Sequence, residues 1–301
     1  MASRLRGVLA PVVTPFGADL APDAARWIAH CRGLLSRDCG LAIFGTTSEA
    51  NSLALSERRA LLEAAAEALD PGRMMVGTGA CAIPEAAELT RASVEAGCAG
   101  VLMLPPFYYK GVPEDGLFAY YSEVIERVGD ARLRVYLYHI PAVSGVPIPH
   151  SLIARLREAY PNTIAGIKDS SGDWENARAM IERFEGFDVY AGTEALLLPA
   201  LRAGGAGCIT ATANVNPGPI AALCASWEEE GAEARQAGLT ALRRAFEAVP
   251  MIPGLKAALA RATGDATWAR VRPPLVALDT EGVAGLGEAL AAAGLPWPDA
   301  P

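Results

Sequence analysis

The chain has 301 residues, 51% of them hydrophobic and 20% charged, with a formal net charge of −8. That much apolar material can build a large core, and an α/β barrel of roughly 250 residues commonly folds as one domain. The acidic balance argues against non-specific nucleic-acid binding, which needs a basic surface, but does not exclude a small anionic substrate.

The first residues, Met1 to Gly7, include Arg4 and Arg6, and no long apolar run follows, so no signal peptide is read there. No stretch of about 18 uncharged apolar residues occurs further on, so the expectation is a soluble, cytoplasmic protein without a transmembrane helix. Eight short apolar runs then follow at a near-regular spacing: 8–14, 39–45, 73–79, 100–105, 134–140, 164–168, 188–192 and 207–212. They are almost continuously hydrophobic, as parallel strands buried on both faces are. Helical patterns lie between them at 56–69, 84–96, 113–128, 149–158, 173–184 and 194–203. Ser56 is placed to cap the first of these, and Pro84 falls in a first turn. From Pro217 onward only helical patterns appear, at 219–230, 232–249, 254–263 and 281–293, punctuated by Pro250, Pro253, Pro273 and Pro274.

Eight strands alternating with helices fit either a doubly wound sheet or a barrel. The regular repeat, and the lack of a Gly-rich dinucleotide turn after the first strand, favour a (β/α)8 TIM barrel with a C-terminal helical extension. The expected division is a barrel core over 1–216, with the final barrel helix and a docked helical extension over 217–301.

Six cysteines occur without any CxxC pair, and there are only three histidines, so no metal site is expected; the imine chemistry read below calls for no organic cofactor either. Arginine supplies all but three of the 26 cations, which draws attention to Lys110, Lys168 and Lys256. Lys168 ends the apolar run Ile164-Ala165-Gly166-Ile167-Lys168. Catalytic groups of barrels sit at the C-terminal ends of strands. An amine stripped of water there is favoured in its neutral, nucleophilic form and can attack a ketone to give an imine. Tyr138 falls near the end of the preceding run, where a phenol can relay protons. The turn Gly45-Thr46-Thr47-Ser48-Glu49 offers hydroxyls and backbone N–H groups for a carboxylate. Tyr108 lies in an aromatic loop after the fourth run. Each residue also has a plain structural reading: a snorkelling lysine, a core tyrosine, an ordinary loop.

Taken together, these segments resemble the dihydrodipicolinate synthase / N-acetylneuraminate lyase family of class I pyruvate-type aldolases, over residues 7 to about 278. The match rests on Gly45-Thr46-Thr47-Ser48-Glu49, Tyr138-His139-Ile140-Pro141, Gly166-Ile167-Lys168-Asp169 and Ala203-Gly204-Gly205-Ala206-Gly207. The resemblance implies that Lys168 forms the Schiff base and that Tyr138 shuttles protons. It implies that Thr46 and Thr47 hold the keto-acid carboxylate, with Thr47 also linking the tyrosines. Tyr108 would reach across an interface of a homo-oligomer, a dimer or tetramer, and Ile209 would line the pocket beside the imine. Ser144, Ser170, Gly192, Thr193, Glu194 and Asn214 are expected to surround the remainder of the substrate.

Three positions depart from the family pattern. Ser48 stands where glycine is usual, and His139 where asparagine is common. Val143 stands where true dihydrodipicolinate synthases carry an arginine for the second substrate. The implied activity is therefore a lyase or aldolase on a 2-oxo-3-deoxy sugar acid or related hydroxy-oxo acid, with pyruvate as product or donor and an aldehyde as partner. A dehydratase using the same imine is the nearest alternative. A catalytically silent binding protein and a metal-dependent barrel aldolase fit less well.

Overall fold

The computed structural model describes residues 4–301; residues 1–3, part of the N-terminal stretch inspected for a leader, lie outside the described residues. The chain runs β1 (Gly7–Ala10), α1 (Ala24–Leu35), β2 (Gly40–Ile43), α2 (Leu55–Ala68), β3 (Met74–Gly77), α3 (Ile83–Glu95), β4 (Gly100–Met103) and α4 (Glu114–Val128). It continues through β5 (Val135–His139), a short α5 (Pro141–Ser144), α6 (His150–Ala159), β6 (Ile164–Asp169), α7 (Trp174–Arg183), β7 (Asp188–Ala191), α8 (Leu197–Arg202) and β8 (Gly207–Ile209). The helices α9 (Pro217–Ala225), α10 (Ala232–Glu247), α11 (Met251–Thr263) and α12 (Thr280–Ala292) complete it. The eight strands pair in sequence order, all parallel, and β8 closes onto β1. This is the expected TIM barrel with a C-terminal helical extension.

Each of the eight apolar runs coincides with a strand, and all the strands are shorter than their runs except β6, which reaches one residue further, to Asp169. A tilted strand in a closed barrel stays in the ladder for only a few residues, and the rest of each run bends out over the mouth. The helix α1 has no counterpart in the expected pattern. Its signal is present all the same: Trp27, Ile28, Cys31 and Leu34 are buried on one face, and the Asp23 side chain caps the N-terminus by accepting from Arg26 N at 2.9 Å. α11 starts at Met251, three residues before the expected start, because Pro253 sits in the first turn, where a missing N–H costs nothing.

The lumen is packed with Leu9, Ala42, Met75, Leu102, Tyr136, Tyr190, Ala206 and Ile209. Tyr136 occupies most of one level. A Cβ on Gly166 would sit 2.7 Å from its ring and 2.2 Å from the Asp188 carbonyl, and one on Gly100 would sit 2.8 Å from the other edge. Those two glycines make room for the ring. A further apolar cluster joins Val13, Ala211 and Val215 at the barrel mouth to Leu242, Phe246, Leu255, Leu259, Trp268 and Leu286 of the C-terminal helices. The extension is therefore packed over the mouth end of the barrel.

Candidate active site

Strand register brings the first two candidate residues together. Between β5 and β6 the pairing slips: Val135 faces Ile164, but Tyr136 faces Gly166. The extra residue, Ala165, is a bulge that resets the in–out alternation of β6. Gly166 and Lys168 thereby share the lumen side with Tyr136 and Tyr138, and Tyr138 is the direct register partner of Lys168. The ammonium nitrogen of Lys168 lies 3.2 Å from the phenol oxygen of Tyr138 and 4.3 Å from its ring centroid. Lys168 is only 5% exposed and Tyr138 only 3%, so amine and phenol meet in a partly dry environment at the floor of a cavity.

The phenol oxygen has a second neighbour, the hydroxyl of Thr46, at 3.2 Å. The resemblance implied that Thr47 links the tyrosines; in the structure it is Thr46 that touches Tyr138, and Tyr108 stands exposed on its own loop. Both threonines line the cavity. The turn that carries them is held internally by Ser48 N donating to Gly45 O at 3.2 Å and Glu49 N to Thr46 O at 3.0 Å. Ser48, the departure from the family's glycine, turns its side chain inward, where it accepts from Gly45 N at 3.3 Å. Its carbonyl accepts from the Thr14 hydroxyl at 2.7 Å. The serine thus stiffens the turn from within.

Glu49, at the end of this turn, has a left-handed backbone (φ 57°) and a buried carboxylate. That carboxylate pairs with the buried ammonium of Lys256 from α11 and accepts Arg272 N at 2.9 Å. Lys256 also donates to Arg270 O at 2.7 Å and lies 4.4 Å from the Phe16 ring centroid. Burial pulls this ammonium below the usual lysine range, and Glu49 opposes the shift. The lysine that the sequence singled out without a role is a bolt between the extension and the turn that follows β2.

Behind Lys168 and Tyr138, His139 points away from the lumen. Its Nδ1 accepts from Ile148 N at 3.1 Å, so the neutral ring carries its proton on Nε2, 4.0 Å from Asp169 Oδ1. Burial holds His139 below the usual imidazole range, against the pull of Asp169. Asp169 is fixed by Ser171 N and Asn176 Nδ2, both at 2.9 Å.

The cavity above Lys168 encloses about 620 Å³. Ser170, Gly192, Thr193, Ile209 and Val143 line it, as the sequence suggested. Three expected residues do not. Ser144 is buried with its hydroxyl turned to Val146, donating to its carbonyl at 3.1 Å. Glu194 lies behind the wall, where the hydroxyls of Thr210 and Thr212 both donate to its carboxylate. Asn214 ties the β8 loop to the β1 loop, accepting from Val13 N and donating to Pro11 O, each at 3.0 Å. These polar side chains are consumed by the backbone turns they stabilise. Tyr108 is 75% exposed on its loop, edge-on to Tyr109 at 5.4 Å, and does not line this chain's own cavity.

The sequence reading missed one whole wall. Thr240, Arg243, Arg244 and Glu247 of α10, and Met251 to Pro253 of α11, close the cavity from outside the barrel. The only available signal was the spacing of the four α10 residues, which puts them on one helix face. Among the described residues no cluster of three or more metal-ligating side chains occurs, and no helix is long and apolar enough to cross a membrane.

Residues 4–293 match the Dihydrodipicolinate synthetase family. An uncharacterized DapA-like lyase of Chloroflexus aurantiacus is 34% identical over 284 residues, covering 93% of this chain and 94% of that protein. A 4-hydroxy-tetrahydrodipicolinate synthase of Thermus thermophilus is 37% identical over 223 residues, 73% of each chain. Among solved structures, dihydrodipicolinate synthase from Agrobacterium tumefaciens superposes with a TM-score of 0.88 at 32% identity, covering 95% of this chain and 99% of that one. YagE, a prophage protein of the dihydrodipicolinic acid synthase family from E. coli K12, crystallised in complex with pyruvate, gives 0.89 at 28% identity, covering 98% and 100%.

Proposed function

The chain belongs to the dihydrodipicolinate synthetase family, and from that membership we propose that it cleaves or forms the C3–C4 bond of a hydroxylated 2-oxo acid through an imine on Lys168. The observation that carries this reading is the Lys168–Tyr138–Thr46 chain, with two contacts of 3.2 Å, on the cavity floor.

The carboxylate of the 2-oxo acid sits on the Thr46–Thr47 turn, which presents hydroxyls at the cavity. The Lys168 amine adds to C2, and loss of water gives a protonated imine. Tyr138 takes the proton of the C4 hydroxyl while the C3–C4 electron pair moves into the imine system, so an aldehyde leaves and an enamine remains. Protonation at C3 and hydrolysis release pyruvate and restore the amine. In reverse, the enamine attacks the aldehyde. A dehydratase would use the same imine but expel the β-hydroxyl as water; product analysis separates the two.

The substrate class proposed is a 2-oxo-3-deoxy sugar acid or related hydroxy-oxo acid. Val143 supports it, because it lines the cavity as an apolar group where a dihydrodipicolinate synthase carries an arginine. A charge-assisted contact of that kind contributes roughly 1.5–3 kcal/mol, so its absence weakens a second carboxylate by roughly 10–200-fold. The test is incubation with pyruvate and borohydride, then peptide mapping: the added mass is expected on the Lys168 peptide, and a label on Lys110 or Lys256 refutes the assignment. On the same preparation, cleavage of hydroxylated 2-oxo acids should exceed condensation of pyruvate with aspartate semialdehyde by about 100-fold in kcat/KM.

A further inference from the structure

Arg243 stands on the cavity wall with its guanidinium anchored from behind. Its Nη1 is 3.9 Å from the carboxylate of Glu194, which is fully buried and already holds the Thr210 and Thr212 hydroxyls. Its Nε donates to Glu247 Oε1 at 2.7 Å. Among the described residues Glu247 is the one protein acceptor within hydrogen-bonding distance of the guanidinium, Glu194 being an ion-pair neighbour only, although the Arg243 side chain is only 18% exposed. Several N–H donors of a shielded, immobilised fork are therefore left at the cavity.

The charges around it are balanced. Arg243 and Arg244 on this wall are offset by Glu247 beside them and Glu194 behind. Such a wall is not an anion trap. It offers donors and a carboxylate acceptor side by side, and hydroxyl groups, which both donate and accept, match that pattern. An alkyl chain would strip water from the guanidinium and return nothing. A second anionic terminus would meet Glu247.

We infer that Arg243, set by Glu194 and paired with Glu247, is the specificity-determining residue that recognises hydroxyl groups on the part of the 2-oxo acid beyond the cleaved bond. This rests on the imine-forming lyase reading above. The buried Glu194 then acts on specificity by positioning Arg243, without touching the substrate.

The test compares three 2-oxo acids of equal length on one preparation. All carry the C4 hydroxyl, and their tails are hydroxylated, alkyl or carboxylate-ended. The wild-type enzyme should prefer the hydroxylated tail over the alkyl tail by about 10–100-fold in kcat/KM, with the carboxylate-ended tail below the hydroxylated one. Arg243→Met should collapse the hydroxylated-to-alkyl ratio to within about threefold. Because both substrates meet the same preparation, partial loss of folded enzyme cancels in the ratio. Arg243→Lys keeps a cation between Glu194 and Glu247 but loses the planar fork, and should lower the ratio part of the way; it decides the matter if the methionine variant does not fold. An unchanged ratio in these variants, or a wild-type preference for the carboxylate-ended tail, overturns the inference. Failure of the wild-type enzyme to capture pyruvate under borohydride overturns the lyase reading itself, and so separates the two.

Discussion

Tyr138 is held from two sides, by the Lys168 amine and the Thr46 hydroxyl, each 3.2 Å from its oxygen. A phenol in that position can pass a proton between the substrate hydroxyl and the turn without moving. Removing only its oxygen keeps the ring that packs under Lys168. Tyr138→Phe should therefore fold normally and lose about 10²–10⁴-fold in turnover, the usual range for general acid–base catalysis. Borohydride trapping should slow but persist, since the amine remains. Near-normal turnover in this variant would sink the relay. Lys168 and Tyr138 were legible as candidates because they fall at or near the ends of apolar runs, and strand ends at a barrel mouth are where chemistry collects; the family resemblance attached the roles. Which threonine touches the phenol was not legible, because adjacent residues of a turn point to different sides and the turn's backbone decides which.

At the scale of elements, the β2–α2 turn is gripped by the C-terminal helices. Lys256 and Glu49 are both buried, and Arg272 adds a backbone donor to Glu49 and a side-chain pair to Glu57. Removing one member of a buried pair strands the other, at about 3–5 kcal/mol. Lys256→Met should lower the melting temperature by about 10 °C, at roughly 2–4 °C per kcal/mol for a chain of this size class. Adding Glu49→Gln to that variant should recover most of the loss, because no buried charge is then unpaired. Differential scanning calorimetry of the single and double variants checks this, and a single variant as stable as the wild type would show that the pair is not buried in solution.

A second inter-element tie gives the fold a pH dependence. His30 of α1 is buried edge-on to Trp268 and lies 3.1 Å from Asn214 Oδ1, with Nε2 facing that oxygen. Desolvation pushes its pKa down to about 4, only partly offset by the Asn214 contact. The unfolded chain binds the proton near pH 6.5, whereas the folded chain refuses it until about pH 4. Stability is then fully present above about pH 6.5 and is lost as pH falls towards 4, by an amount on the order of 3 kcal/mol. Below that both states are protonated and the loss stops growing. His139, also lowered by burial, adds in the same direction. Urea unfolding at pH 7 and pH 4.5 should show a smaller drop for His30→Gln than for the wild type; equal drops would clear His30 of the effect.

For the whole molecule, the Tyr108–Tyr109 pair is the conspicuous loose end. The two rings are 75% and 73% exposed and packed only edge-on against each other. Large aromatic surfaces of that kind favour burial against another surface, and closed symmetric assembly is the usual solution. Light scattering at micromolar concentration should give a mass of at least two chains, and Tyr108→Asp with Tyr109→Asp should shift it towards one. A wild-type chain that is strictly monomeric and fully active would exclude a shared site.

The order of the eight buried runs and the residues that end them are local properties, set by apolar periodicity and by the side chain that closes each run. They led to the barrel and its helical extension and marked Lys168, Tyr138 and the 45–49 turn as candidates, whose roles came from the family resemblance. Glu194, Ser144 and Asn214 could not be assigned that way. A polar residue near a strand end can face the cavity or satisfy a buried backbone group, and only the folded loops show that these three are consumed internally. Arg243 was out of reach for the opposite reason. Residues 240–247 read as one more amphipathic helix, and that face becomes a wall of the cavity only because the apolar cluster of Phe246, Leu255 and Trp268 seats the extension on the barrel mouth. Where this helix docks depends on contacts far apart in the chain, such as Val13 with the cluster of Phe246 and Leu255, which no window of sequence contains.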